Sequence, residues 1–381
     1  MVTFVKKLLI MNFTDLPSSS VSKYTIKRYP KTTNRSLLPW SKGDEFAVWF
    51  LKTNQLLNKG IAIYNDSFGY LSSHLLTDKT EIRISKKSQE KAIGTNLEEN
   101  DLMFDENQFL DLNAINEVKT EVVVLKVPKS LDLFELYLSK ISESIDENSV
   151  VVCSFMTKYF TKKMIELAEF YFEDVKQTKA WKKSRLIVLS KPKEIEKKSL
   201  INEINSDFGL FKQYYGVFSA DHIDYATQFL IQNMTIPQDA ERVLDLASGN
   251  GILAKVIQDK NPNIEIHLVD DSSLAIESSK LNINGDNVHF HLNNNLADFE
   301  SDSLDYIVSN PPFHVDHEID ISLPLELFKQ AARCLKKKGV FQLVFNNHLN
   351  YTTHLNRIFK DVKVAAENDK FTVLNCSASQ L

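Results

Sequence analysis

The chain has 381 residues, 43% of them hydrophobic and 25% charged, a globular balance long enough for two cores that excludes a disordered or fibrous chain. Its 45 Lys+Arg against 50 Asp+Glu leave a net charge of −5, so a nucleic-acid partner is not announced by bulk charge and has to be held by local basic patches. Cys153, Cys334 and Cys376 are too few and too scattered for a disulfide framework or a zinc spacing, which fits a reducing cytoplasm, and no uncharged stretch approaches the roughly 20 residues of a membrane span.

At the start, Lys6 and Lys7 precede Leu8-Leu9-Ile10, an apolar run too short for a signal peptide. Residues 1–23 are expected to be a variable segment, with Met11 as a second candidate start. Strand patterns follow at 61–64 (IAIY, running into NDSFG), 122–125 (VVVL, running into KVPK), 150–155 (VVVCSF) and 185–189 (RLIVL). The charged, aromatic-poor stretch KPKEIEKKSLINEIN places a linker at 191–206, between domains at 24–190 and 207–381.

Beyond it, strand and helix patterns alternate. Strands are predicted at 242–246, 265–270, 288–292, 304–309 and 340–345, with helices at 252–260, 272–284, 325–337 and 348–360. Gly339 reads as a helix stop, and Lys336-Lys337-Lys338 as charge suited to a helix C-terminus. Two last strands, 362–366 and 371–376, can pair as an antiparallel hairpin at a sheet edge. This is the order of a mostly parallel α/β sheet with helices on both faces. The halves also share a spacing: Asn65 to Lys126 spans 61 positions and Asp245 to Asn310 spans 65. We read an internal duplication of one α/β domain.

Two motifs carry chemistry. Asp245-Leu246-Ala247-Ser248-Gly249-Asn250-Gly251 lies between a strand and a helix, where small residues let a ligand approach the backbone. Asp270 ends the next strand, where a carboxylate can accept both hydroxyls of a ribose. The second motif, Asn310-Pro311-Pro312-Phe313-His314, ends the 304–309 strand in a rigid extended loop. An exocyclic amine is a poor nucleophile because its lone pair is delocalised. Oxygens of Asn310 and Pro311 that accept its two hydrogens would aim that lone pair at a methyl group, and Phe313 can stack on a flat substrate. The chemistry needs no metal. His314, Asp316 and His317 lack a fourth ligand and read as a solvated loop, and His289 and His291 as surface or packing side chains.

Together DLASGNG and NPPFH resemble the class I methyltransferases that modify amino nitrogens. The closer similarity is to the ribosomal RNA guanine-N2 methyltransferases of types C and G, which act on the smaller and the larger ribosomal RNA respectively; type G is the nearer. It runs from about Tyr24 to Cys376 through YTIKRYP, NDSFG, LKVPKSL, AWKKSRLI, VFS at 217–219, RCLK and KFTVLN. The resemblance implies two tandem Rossmann-like class I methyltransferase domains, the N-terminal one degenerate and used for RNA. It implies S-adenosyl-L-methionine as cofactor, with Asp245, Ala247, Gly249, Asn250 and Gly251 on its methionine side, Asp270 at the ribose, Asn294 by the adenine and Phe218 closing the pocket. Asn310 would orient a guanine N2 amine of ribosomal RNA, 23S rRNA preferred.

Ala247 and Ser248 stand where the family usually has Gly and Cys, and Asn347 where it carries Arg. Alanine is harmless there unless the backbone needs positive φ. Lys158, Lys162 and Lys163, and Lys179, Lys182, Lys183 and Arg185, with Phe160 and Trp181 among them, form the candidate RNA-facing patch. The competing readings are a 16S rRNA enzyme, methylation of a glutamine amide in a release factor, and a non-catalytic RNA-binding module. Two α/β domains can bury each other's faces, so a monomer suffices.

Overall fold

The computed structural model describes residues 11–19, 23–32, 34, 36–114, 120–196, 198–311, 322–349 and 351–377. They divide into two units, Met1–Ser199 and Leu200–Leu381.

In the first unit α1 (Lys42–Thr53) leads into β1 (Ile61–Tyr64), α2 (Tyr70–Leu75), β2 (Thr80–Ile84), α3 (Lys87–Glu98) and β3 (Phe109–Asp111). Then come β4 (Val122–Lys126), α4 (Leu131–Ser144), β5 (Val150–Met156), α5 (Lys162–Tyr171), β6 (Phe172–Gln177) and β7 (Ser184–Pro192). The second unit runs β8 (Ile201–Ser206), β9 (Gly209–Tyr214), α6 (Tyr225–Gln232), β10 (Arg242–Leu246), α7 (Ile252–Lys260), β11 (Glu265–Asp270), α8 (Ser273–Asn282) and β12 (Val288–Leu292). It ends with β13 (Leu304–Ser309), α9 (Ser322–Cys334), β14 (Leu335–Asn346), α10 (Tyr351–Leu355), β15 (Asp361–Glu367) and β16 (Phe371–Ser377).

The two large sheets are ordered alike: β3-β2-β1-β4-β5-β7-β6 and β12-β11-β10-β13-β14-β16-β15. In each, five strands are parallel and the last hairpin inserts its second strand antiparallel beside the fifth. Central strands such as IAIY are buried on both faces, which is why they read as unbroken apolar runs. Side-chain caps start several of the helices: Ser41 and Asp44 form a capping box on α1, and Asp224 and Ser272 cap α6 and α8. Strand order reverses between β1 and β4 and between β10 and β13, the place where a doubly wound sheet opens a crevice. Among the described residues, no helix is long and apolar enough to cross a membrane.

Three expectations change. The stretch 191–206 is not all linker: β7 continues to Pro192, and Ile201–Ser206 forms β8, paired with β9. The helix predicted to 337 stops at Cys334, and Lys336–Gly339 belong to β14 at a bulge, where pairing steps from Leu304↔Leu335 to Tyr306↔Val340. Lys336 reaches Asp305 at 2.8 Å instead of a helix end, and Gly339 is needed because a Cβ would stand 2.9 Å from the Leu304 carbonyl oxygen. The helix expected at 348–360 is the short α10, followed by turns.

Candidate active site

The loop from β10 to α7 takes three positive φ angles: Ala247 at 61°, Gly249 at 57° and Gly251 at 79°. A side chain on Gly251 would combine that strain with contacts of 3.1 Å to Ser279 and 3.2 Å to Leu268. A Cβ on Gly249 would meet nothing within 4 Å, so one side of the loop is open. Asp245 is fully buried just before it. Its Oδ2 accepts from the Ala254 N–H at 3.0 Å, while Oδ1 has no partner. Burial pushes its carboxyl up to about 7, opposed by the Ala254 N–H and reinforced by the Asp270 charge. Asp270 ends β11 and accepts from Gly249 N at 2.9 Å and Ser272 N at 2.8 Å, which ties the acid to the loop. A buried carboxylate oxygen lacking a donor, an open loop and an acid on the next strand suit the ammonium, chain and ribose of S-adenosylmethionine.

Asn250 turns its side chain inward. Its Nδ2 donates to Gln213 Oε1 at 2.8 Å and its Oδ1 accepts from Ile252 N at 3.3 Å, so it can line the site only through its backbone. Gln213, buried on β9, donates its own Nε2 to the carbonyls of Val217, Phe218 and Ser219 at 3.1–3.2 Å. The segment so held exposes 73% of Phe218. Asn294 follows β12, where its Oδ1 accepts from Asn295 Nδ2 at 3.0 Å.

Across the crevice, Ser309 Oγ donates to the Leu246 carbonyl at 2.7 Å, joining β13 to β10. Asn310 follows with its Nδ2 on Asp224 Oδ2 at 3.0 Å and Thr227 Oγ1 at 2.8 Å. Pro311 is buried. Phe313, with Pro312, His314, Asp316 and His317, lies outside the described residues. Sequence reasoning missed Asp224, Thr227 and Gln213. Asp224 had a signal as the acid preceding the apolar run of α6; Gln213 had none.

The corresponding loop of the first unit keeps the backbone and loses the chemistry. Asn65 has φ 61° and Gly69 φ 90°, four positions apart like Ala247 and Gly251. A side chain on Gly69 would stand 3.2 Å from Ile93 Cα, where the second unit has Ser279. Phe68 carries Arg28 over its ring at 4.7 Å, and Asn96 bonds the backbone of Lys27 and Phe68. No carboxylate ends β2.

The basic residues of the first unit divide. The Trp181–Ser184 turn places Lys182 at φ 43° and Lys183 at φ 62°, and the Lys183 carbonyl accepts from Thr157 N at 2.8 Å. That brings the turn beside Lys158 and Tyr159, whose ring lies under Lys158 at 4.7 Å and Lys129 at 5.5 Å. Lys162 and Lys163 instead face Glu166 at 3.8 and 3.5 Å, and Arg185 faces Gln177 at 3.5 Å. Trp181 is buried, with its Nε1 on the Pro17 carbonyl, and offers no stacking face; Phe160 is 39% exposed.

Glu265, His267 and His289 bring potential ligand atoms within 4.8 Å of one another. Arg242 Nε sits between them, 3.0 Å from His267 Nε2 and 3.2 Å from Glu265 Oε1, and His291 bonds the other His267 nitrogen at 2.9 Å. Burial holds His267 down at about 4, so this is a packed group with a guanidinium among its ligand-type atoms.

Two family models cover most of the chain: residues 15–194 match the RLMG N-terminal domain and residues 209–375 the methyltransferase small domain. Ribosomal RNA large subunit methyltransferase G of Psychromonas ingrahamii is 30% identical over 371 residues, covering 92% of this chain and 95% of the relative. The protein of the same name from Pseudoalteromonas translucida is 30% identical over 93% of this chain and 96% of its own length. A T. thermophilus 16S rRNA N2 methyltransferase, solved with AdoMet and guanosine, superposes with a TM-score of 0.70 at 20% identity over 84% of this chain and 88% of its own.

Proposed function

This chain belongs to the ribosomal RNA large subunit methyltransferase G family, and we propose that it methylates the exocyclic N2 amine of a guanine in 23S rRNA. It acts in the cytoplasm as a monomer, with its chemistry in the second unit.

The observation that carries the reading is the fixed amide of Asn310 at the mouth of the crevice. With Nδ2 held by Asp224 and Thr227, Oδ1 is left to accept an amine hydrogen, and the Pro311 carbonyl takes the other. Held so, the nitrogen lone pair is directed out of the base plane, and positive charge growing on nitrogen is met by oxygens already in place. S-adenosylmethionine supplies an electrophilic methyl group. Asp245, the open side of Gly249 and Asp270 would hold it, and Phe218 would cover it. The amine proton leaves to water once the product nitrogen is cationic, so no strong base is required. Phe313 would stack on the base. Lys129 and Lys158 over the Tyr159 ring, with Lys182 and Lys183 on the adjoining turn, would hold the RNA backbone from the first unit.

The test is incubation with tritiated S-adenosylmethionine and, in separate reactions, bare 23S rRNA and bare 16S rRNA from cells lacking the homologue, and purified release factor. Label in guanine N2 of the 23S rRNA, lost in Asn310→Ala, is the expected result. Label in 16S rRNA alone changes the substrate, and label in a release-factor glutamine overturns the RNA reading.

A further inference from the structure

The side-chain oxygen and nitrogen of an asparagine are nearly the same size, so which end faces a substrate is decided by what the other end meets. At Asn310 the partner chemistry is unambiguous. Asp224 Oδ2 already accepts from Ala226 N at 3.1 Å and Thr227 N at 3.2 Å as the cap of α6, and takes Asn310 Nδ2 at 3.0 Å as its third donor. An ionised carboxylate only accepts. A flipped amide would set its oxygen against that carboxylate, whereas Thr227 Oγ1, at 2.8 Å, can accept from Nδ2 or donate to an oxygen, so Asp224 chooses the orientation and Thr227 adds a second anchor to it.

We infer that Asp224 and Thr227 are positioning residues that lock the Asn310 amide with Oδ1 toward the substrate amine. This rests on the reading of Asn310 as the acceptor of that amine. Left free, the amide would spend part of its time presenting N–H groups to N–H groups, a repulsive and unproductive pairing. The two residues come three apart from the first turn of one helix, so the N-terminus of α6 orients a group at the end of β13.

The test is Asp224→Asn. Asparagine caps a helix as well as aspartate does, so the melting temperature holds. It also offers both a donor and an acceptor, so it can pair with either face of the Asn310 amide. We expect kcat to fall about 10- to 100-fold with the KM for S-adenosylmethionine unchanged. Thr227→Val should fall similarly, and Thr227→Ser, which keeps the hydroxyl, should recover most of that loss. In an Asn310→Ala background Asp224→Asn should cost nothing further. Wild-type kcat in Asp224→Asn and Thr227→Val, or a full additional loss on top of Asn310→Ala, overturns the inference. Failure of the functional reading looks different, because the wild-type control itself then labels no RNA guanine. In that case exchange of the Asn310 side-chain N–H groups decides the orientation: slow exchange in the wild type upholds the lock and fast exchange overturns it.

Discussion

Ala247 adopts φ 61°, a region that costs a non-glycine residue about 1–2 kcal/mol. The family's glycine therefore has a conformational reason, and alanine here holds the loop under strain. Ala247→Gly should stabilise the protein by about 0.5–1 kcal/mol after the extra freedom of the unfolded glycine is counted. A urea midpoint that stays or falls would sink that account. Two residues back, Asp245 makes a pH prediction. Its folded pKa of about 7 lies above the ordinary carboxylate value, so its stabilising contribution is present in acid and is lost as pH rises through about 7. The unbound protein should show that slope, and Asp245→Asn should flatten it. Binding runs the other way. A ligand ammonium favours the ionised carboxylate, so S-adenosylmethionine affinity should tighten between about pH 6 and pH 8. Calorimetry at both values checks this, and equal affinities in wild type would exclude Asp245 from the ammonium site. The sequence marked Ala247 and Asp245 as the positions that matter, but it shows residue types and neither φ nor the absence of a partner.

The β8–β9 hairpin shows where pattern reading fails. In the second unit four parallel strands were legible to the residue and the fifth prediction lay inside β14, because burial on both faces leaves apolar runs that polar loops interrupt; in the first unit β2, β3 and all five helices went unread. INEINS looked like linker because only Ile204 and Phe211 of the hairpin are deeply buried apolar side chains. Long-range polar bonds hold the rest: Lys212 pairs both ways with Asn282 at 2.7 Å, Tyr214 N meets Ser278 Oγ at 3.0 Å, and Asn282 also holds the Asn250 carbonyl at 2.8 Å. Residues 64 to 70 positions apart leave no local signature. The hairpin thereby carries Gln213 to the cofactor loop, and Gln213 ties that loop to the Phe218 segment. Gln213→Leu fills similar space but leaves three carbonyls and the Asn250 amide without their partner. S-adenosylmethionine affinity should fall about tenfold or more. Unchanged affinity by calorimetry would mean that the Phe218 segment is held by something else.

The two units share strand order and the left-handed loop residues, and even the link from the first helix to the fourth strand of the large sheet. Lys126 meets Asp44 at 3.1 Å in the first unit, where Asn310 meets Thr227 in the second; Asp44 and Thr227 each stand three residues after their helix cap. A duplication was visible from spacing alone. Which copy lost its ligand followed from the missing glycines and acid, but what replaced it did not: Phe68, Ile93 and Arg28 crowd the corresponding loop. A scaffold relieved of cofactor binding is free to present cations, and a turn that sets two successive lysines at positive φ, against the usual Asn-Gly preference, is a costly way to present them unless they have a use. Each phosphate contact releases counterions, so each one lost should reduce the slope of log affinity against log salt by about 0.7 on single-stranded RNA. Replacing Lys129, Lys158, Lys182 and Lys183 by alanine should therefore weaken RNA binding and lower that slope by about 2–3. S-adenosylmethionine affinity should not move, since the four lysines lie in the first unit. Replacing Lys162 and Lys163, which already face Glu166, should change the slope far less. If both sets reduced the slope equally, the positive-φ turn would lose its claim and the RNA would be reading net charge alone.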